Sequence, residues 1–205
     1  MNYDQPTSKE VVERTIKALA NQGFLPEFVE TKEEALSRIK ELIPQGASIM
    51  NGSSRTLEEI GFVDYLKEGQ HGWNNLHEAI LAEQDAAKQA VLRKQSVLSD
   101  FYLGSVHAVS ESGELVVSSN SGSQLSHLAF TSQNLILVVG VQKITPDLTT
   151  AMSRLQDHVF PLEDERMKSV GMGGSYVSKT LILSKEQPFM GRKAHVIFVN
   201  EKLGF

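Results

Sequence analysis

A polar loop follows a short apolar run near position 50 and contains one basic side chain. Residues 47–50 are apolar enough for a buried strand, and residues 51–56 precede an amphipathic turn. A glycine and serine loop that enters a helix presents backbone N–H groups and hydroxyls to an anion, and Arg55 adds positive charge. The ligand-binding candidates in this loop are Asn51, Gly52, Ser53, Arg55 and Thr56. Simple helix capping by Ser54 or Thr56 is the competing interpretation.

A carboxylate follows a second predicted strand, in the sequence Ser110-Glu111-Ser112-Gly113. A partly desolvated glutamate has a raised pKa and can act as a base or nucleophile, so Glu111 is the catalytic candidate and Gly113 a ligand-binding one. A hairpin turn at Ser112 and Gly113 is the alternative.

Two further loops rich in small residues contribute candidates. Residues 119–123 supply Ser121 and Gly122, while Gly173 and Gly174 of the cluster 171–174 offer backbone N–H groups to an oxyanion. A flexible loop is the alternative for the glycine cluster. We expect residues 51–56, 111–113 and 119–123 to meet on one side of a sheet, where a phosphate, sulfate or lactate would lodge beside Thr56.

Composition restricts the possible cofactors. The chain contains no cysteine, which excludes disulfides, thiolate zinc sites, cysteine-ligated iron–sulfur clusters and a cysteine nucleophile. His71 and His77 lie at i, i+6, which is not the spacing of two ligands on one helical face. The loop at 51–56 has neither the lysine of a P-loop nor three glycines of a dinucleotide fingerprint. We therefore predict no metal and no cofactor.

Length and charge predict one globular, cytoplasmic domain. The 205 residues are 40% hydrophobic and 22% charged, with a formal net charge of -5. This balance gives no general attraction for nucleic acid or an anionic membrane, so any anion must be bound by a local site. The amino terminus lacks the pattern of a secretory signal, and no apolar stretch is long enough to insert into a membrane.

Strand and helix signals alternate along most of the chain. Thr31 and Glu34 form a capping box that predicts a helix ending before Pro44, and Pro146 and Pro161 bracket a later helix. The predicted strands are residues 24–29, 47–50, 105–109, 114–118, 135–139, 177–183 and 194–199. This alternation predicts an α/β fold with a mainly parallel central sheet flanked by helices. We expect one domain over 1–205, with a helical portion of about 1–98 packed on a sheet core of about 99–205.

Several motifs resemble those of the lactate-utilisation (LUD) domain family, the group that includes lactate-utilisation protein C. The matching stretches are residues 51–61, 100–105, 110–116, 144–148, 160–166 and 191–193. The resemblance implies the α/β fold shared by sugar-phosphate isomerases, 5-formyltetrahydrofolate cyclo-ligase and CoA transferases. Within that wider fold, Ser110-Glu111-Ser112-Gly113 is similar to the Ser-Glu-Asn-Gly motif whose glutamate attacks a thioester, with serine here in place of asparagine.

The resemblance also implies a function. It indicates an accessory component of a system that oxidises L-lactate to pyruvate together with iron–sulfur partner proteins, in which this chain binds a small carboxylate or phosphate-bearing ligand. Two alternatives remain open: a stand-alone acyl or CoA transferase or isomerase that uses Glu111, and a regulatory module that binds a ligand without turnover.

Overall fold

A computed structural model describes residues 2–171, 173–187, 189 and 191–205. The strands are β1 (Leu25–Val29), β2 (Ser48–Asn51), β3 (Asn74–Asn75), β4 (Phe101–Gly104), β5 (Ala108–Ser110), β6 (Leu115–Ser119), β7 (Asn134–Gly140), β8 (Ile144–Thr145), β9 (Lys179–Leu183) and β10 (Lys193–Val199). The helices are α1 (Lys9–Asn21), α2 (Lys32–Leu42), α3 (Arg55–Glu59), α4 (Phe62–Lys67), α5 (Leu76–Ala82), α6 (Ala86–Gln95), α7 (Ser123–Ser126), α8 (Leu148–Arg154) and α9 (Phe160–Ser169).

The main sheet has six parallel strands in the order β1-β10-β7-β4-β2-β3. Its central strand β7 is a continuous apolar run, as expected for a parallel strand covered on both faces. Side chains alternate between the two faces: Leu135 and Leu137 pack with α1, while Ile136 and Val138 pack with α2. The prediction of an α/β fold with a mainly parallel, helix-flanked sheet is confirmed.

A smaller mixed sheet in the order β8-β5-β6-β9 adjoins the main one. Strands β5 and β6 form an antiparallel hairpin, β9 adds antiparallel to β6, and β8 pairs parallel with β5. Helix α8 and the π-helical turn after it cover this sheet through a cluster that includes Ala108, Val116, Ala151 and Leu155.

Helix starts follow local capping chemistry. The Thr31 hydroxyl accepts a hydrogen bond of 3.2 Å from the Glu34 amide at the start of α2, which confirms the predicted cap. At the start of α1, Ser8 occupies the equivalent position but its side chain makes no capping hydrogen bond.

Two sequence expectations were wrong. Strand β4 was not predicted, because its run of four residues is short, ends in glycine and contains no β-branched side chain. The helix expected to end at Pro161 continues through it. A π-helical turn over residues 155–159 precedes α9, and Pro161 falls in the first turn of α9, where a missing amide hydrogen costs little.

The two expected portions of the chain share the main sheet, because β1, β2 and β3 all precede residue 99. None of the helices in the described part of the chain combines the length and the apolar character needed to cross a membrane.

Candidate functional site

A cavity of about 440 Å³ opens at the carboxyl ends of β2, β4 and β7, and we call it the sheet-end cavity. Three segments that follow these strands line it: residues 52–56, residues 104–107 and Lys143. Parallel strands end at one edge of their sheet, so these segments meet there although they are far apart in sequence. The carboxyl end of β6 adds residues 118–121 to the lining, and the start of α7 adds Ser123 and Gln124.

Hydroxyl-bearing and apolar residues both line the sheet-end cavity. The hydroxyl-bearing residues are Ser53, Ser54, Thr56, Ser105, Ser118, Ser119, Ser121, Ser123, Ser175 and Tyr176. The apolar residues are Val106, Leu155, Val159, Phe160, Met167, Val177 and Phe205. The lining therefore suits a ligand that carries both acceptor oxygens and less polar groups.

Lys143 contributes a buried amine to the lining. The residue is only 3% exposed. Its Nζ lies 3.0 Å from Thr56 Oγ1, 3.1 Å from Ser105 Oγ and 3.2 Å from the Val106 carbonyl oxygen. These three neutral oxygens satisfy the amine's hydrogen-bonding capacity without neutralising a charge.

No carboxylate in the described part of the chain lies within ion-pair distance of Lys143. Burial, together with repulsion from Arg154, lowers the pKa of Lys143 to about 7, although Glu59 opposes the shift. Near neutral pH the neutral amine and the ammonium are both populated.

Three arginines are among the residues that line the sheet-end cavity. Arg166 donates two hydrogen bonds of 2.8 Å to Glu163 and one of 3.3 Å to the Ser53 hydroxyl. Arg55 pairs with Glu58 at 2.7 Å, and Arg93 of α6 also contributes to the lining. Glu163 is the only carboxylate among the described lining residues, against the cationic Arg55, Arg93 and Arg166 and the amine of Lys143.

His107 contributes a neutral imidazole to the lining. Its Nδ1 accepts a hydrogen bond of 3.0 Å from the Ser118 amide. Burial, with repulsion from Lys143 and Arg154, lowers the pKa of His107 to about 3. The ring therefore carries no charge at neutral pH, and an accepting Nδ1 leaves Nε2 as its donor.

Gly52 is where the predicted loop comes closest to the sheet. A Cβ at this position would lie 2.7 Å from the Tyr102 hydroxyl oxygen and 3.2 Å from Gln124 Oε1. Tyr102 is buried and stacked on His127, with ring centroids 4.4 Å apart, so it has little room to move. The close approach requires glycine for steric reasons.

The structure brings together two of the three predicted loops. Gly52, Ser53, Arg55 and Thr56 of the first loop line the sheet-end cavity, and so does Ser121 of the loop after β6. Two candidates beside them do not line it. The Asn51 side chain is buried and donates to the Gly52 carbonyl at 3.3 Å, and Gly122 takes a positive φ of 87° at the start of α7.

Glu111 and Gly113 lie outside the lining of the sheet-end cavity. Glu111 forms an ion pair of 2.7 Å with Arg14 of α1, and its amide donates to the Thr145 carbonyl at 2.8 Å. A Cβ at Gly113 would lie 3.2 Å from the backbone of Ala18, so this turn packs directly on α1. The cause is the hairpin: β5 and β6 are antiparallel, and their carboxyl ends point in opposite directions.

The glycine cluster after α9 does not line the cavity either. Gly173 is exposed, Gly174 is buried against Asp164, and Met172 lies outside the described residues. The residues that follow do contribute: Ser175, Tyr176 and Val177 belong to the lining.

Sequence reasoning missed Lys143, Arg166, Arg93 and His107 as lining residues. The position of Lys143 could have been noticed in the sequence, because a lysine next to Ile144 and three residues after the end of a buried strand is unusual. Arg93 and Arg166 carried none, since basic residues on exposed helix faces are common. Within the described ranges, no group of three or more histidine, aspartate or glutamate side chains could hold a metal ion.

The fold and the site define an α/β protein with a cationic, hydroxyl-lined cavity at the carboxyl edge of a parallel sheet. The sequence model of the LUD domain matches residues 12–199, which is most of the chain. The chain therefore belongs to the LUD domain family, which confirms the resemblance and connects the protein with lactate utilisation in general terms. No curated protein matches the chain significantly.

A solved structure supports the fold. The crystal structure of a DUF162 family protein from Deinococcus radiodurans matches with a TM-score of 0.56 at 14% identity, covering 95% of this chain and 100% of that chain. The structure of eIF2B beta from Chaetomium thermophilum has a TM-score of 0.33 at 13% identity and covers 58% of this chain and 44% of that chain. This second similarity is too weak to indicate a shared fold.

Proposed function

We propose that this LUD domain protein binds a small carboxylate or phosphate-bearing ligand in the sheet-end cavity, as an accessory component of L-lactate oxidation that acts with iron–sulfur partner proteins. The observation that carries the proposal is the charge of the lining. Three arginines and a buried lysine line the cavity, and Glu163 is the one carboxylate among the described lining residues. Glu163 is paired with Arg166, Arg55 is paired with Glu58 and Glu59 beside the cavity, and the lining still carries more basic than acidic groups.

The chemistry of the lining favours an anion over a neutral ligand. Arginine offers a planar fork of donors that matches carboxylate and phosphate oxygens, and serine hydroxyls can donate to the same oxygens. The protein as a whole carries a formal net charge of -5, so the positive charge at the cavity is a local feature.

The volume of the cavity bears on the size of the ligand. Ligand-binding cavities have volumes of roughly 300 to 1,000 Å³, and the sheet-end cavity has about 440 Å³. A three-carbon acid such as lactate would fill part of this volume, which leaves room for a larger anion or for a second group beside it. The apolar residues around Phe160 and Phe205 would contact the less polar part.

Calorimetric titration of the full chain with inorganic phosphate, L-lactate and pyruvate tests the binding. Arg166→Gln should weaken binding of the tightest of these anions about tenfold or more, because it removes a charge-assisted donor. Arg14→Gln is the matched control, since Arg14 is also paired with one glutamate but lies on α1 outside the cavity lining. Equal binding by the two variants, or no binding of any of the three anions, would contradict the proposal.

The accessory role needs a separate assay. The isolated chain should not reduce an electron acceptor with L-lactate, whereas addition of its iron–sulfur partners should give turnover that Arg166→Gln diminishes. Turnover of L-lactate by the isolated chain would instead favour a stand-alone enzyme.

A further inference from the structure

Lys143 is the only lysine among the described residues that line the sheet-end cavity. Its amine is held by the hydroxyls of Thr56 and Ser105 and by the Val106 carbonyl. These three hydrogen bonds fix the position of the amine at the lining. None of them is an ion pair, so no neighbouring carboxylate directly compensates the charge of the ammonium form. An amine in this setting is available for chemistry with a bound ligand.

Two features of its surroundings favour the reactive, neutral form. The side chain is removed from water, and a second buried cation, Arg154, repels the ammonium. Lysines that act as nucleophiles in enzymes are activated in these two ways, by desolvation and by a neighbouring cationic group. Arg154 is itself fully buried and donates to the carbonyl of His107, so it cannot swing out to relieve the repulsion.

The hydroxyls beside the amine can assist proton transfer. Thr56 Oγ1 and Ser105 Oγ each lie within 3.1 Å of the nitrogen. A hydroxyl can both donate and accept a hydrogen bond. Either hydroxyl can therefore take a proton from the Lys143 nitrogen or pass a proton to an oxygen of a ligand that reacts with this nitrogen. In the proposed function the arginines would bind the anionic group of the ligand, which would leave the amine of Lys143 free for a second functional group.

We propose that Lys143 forms a Schiff base with a carbonyl compound that carries a carboxylate or phosphate and binds in the sheet-end cavity. This inference rests on the proposed function, because the anionic group must first be bound by the arginines. It adds a covalent step and a ligand class, an aldehyde or ketone, that anion binding alone does not require.

The step balances without an oxidant or reductant. The lone pair of the neutral Nζ attacks the carbonyl carbon, a C–N bond forms, and the π electrons move to the carbonyl oxygen. One proton leaves the nitrogen and one is added to that oxygen, giving a carbinolamine. Protonation of its hydroxyl releases water as the nitrogen lone pair forms the C=N bond of a protonated imine. Loss of the remaining proton from that nitrogen gives the imine and returns the proton that was added to the hydroxyl. The net change is amine plus carbonyl to imine plus one water.

Reductive trapping on the full chain tests this step. The protein is incubated with pyruvate, the smallest ketone that carries a carboxylate, or with dihydroxyacetone phosphate, and then reduced with cyanoborohydride. Intact mass should increase by the mass of the carbonyl compound less one oxygen atom, at a stoichiometry of one. Peptide mapping should place the adduct on Lys143. An adduct confined to other lysines, or no adduct with either compound, would overturn the inference.

Two variants sharpen the result. Lys143→Met should reduce the trapped fraction at least tenfold, whereas Lys179→Met should leave it unchanged. Lys179 is a matched control because it is exposed beside the cavity, where its Nζ donates to the Asn120 carbonyl at 3.3 Å. Equal trapping by Lys143→Met would overturn the inference. If Lys143→Met does not fold, peptide mapping of the wild-type protein still shows whether the adduct is on Lys143.

The test separates this inference from the proposed function. Inorganic phosphate and L-lactate have no carbonyl group that can form an imine, so their binding depends on anion recognition alone. If these anions bind and pyruvate and dihydroxyacetone phosphate give no adduct, only the Schiff base is wrong. If no anion binds and Lys143 is not trapped, both proposals fail.

Discussion

The amine nitrogen of Lys143 lies 3.0 Å from the hydroxyl oxygen of Thr56, although 87 residues separate them in the chain. This contact joins the turn after β7 to the start of α3. Thr56 Oγ1 also donates to the Leu203 carbonyl at 3.4 Å, so a third distant segment meets the same hydroxyl. Because the contact is buried, the protonation state of Lys143 should affect the free energy of unfolding of the whole protein.

Stability should rise with pH because of Lys143. Its pKa in the folded protein is about 7, below the ordinary lysine value of 10.5, so the unfolded chain binds a proton that the folded chain lacks. The contribution to the free energy of unfolding should therefore increase by up to about 1.4 kcal/mol per pH unit above about pH 7. Below about pH 7 the contribution should be flat, at its least favourable value.

Urea unfolding between about pH 7 and pH 9 measures this effect as the difference between the wild type and Lys143→Met. The charged groups that act on Lys143 in this structure are Arg154 and Glu59. The pKa of Arg154 is lowered only to about 10, and that of His107 to about 3, so neither group titrates between pH 7 and pH 9. A pH dependence that is the same in both proteins would contradict the assignment.

Gly52→Ala should destabilise the protein through Tyr102. The new methyl group would lie 2.7 Å from the Tyr102 hydroxyl oxygen, and overpacking of this kind costs about 1 to 3 kcal/mol. In a Tyr102→Phe background most of this cost should disappear, because the nearest ring carbon is 3.8 Å away. Chemical denaturation of the wild type, both single variants and the double variant gives the coupling energy. Additive effects would show that the clash is relieved in another way.

Glu111→Gln tests the catalytic hypothesis for this residue. The Glu111 and Arg14 side chains are 26% and 58% exposed, so the loss of their ion pair should cost less than about 1 kcal/mol. We expect unchanged phosphate binding and unchanged growth on lactate, because Glu111 lies outside the cavity lining. Arg14→Ala should produce a similar change in stability. Loss of lactate growth with unaltered stability would instead support a catalytic Glu111.

Thr31→Ala should lower the free energy of unfolding by about 1 kcal/mol, because it removes the hydroxyl that accepts from the Glu34 amide. Ser8→Ala provides the matched control: Ser8 occupies the same position at the start of α1 but makes no capping hydrogen bond with its side chain. Thermal denaturation of the two variants should shift the midpoint only for Thr31→Ala. Equal shifts would show that the capping hydrogen bond is not the cause.

Local signals in the sequence were sufficient for most elements of the fold. The apolar runs around Leu135–Val139 and Ala194–Val199 predicted β7 and β10, and the capping box at Thr31 predicted α2. Strand β4 was missed because its run of four residues is short, ends in glycine and contains no β-branched side chain. The prediction that a helix ends at Pro161 was wrong, because a π-helical turn before this residue lets the helix continue.

The sequence by itself determined the alternating elements, the polar loop at residues 51–56 and the absence of cysteine chemistry, because each depends on residues close together in the chain. Only the tertiary structure decided which loops share a cavity. The antiparallel hairpin carries Glu111 to α1, whereas the parallel order of β2, β4 and β7 brings Lys143 beside Thr56. Strand direction and neighbour order depend on packing between distant segments, which no local pattern records.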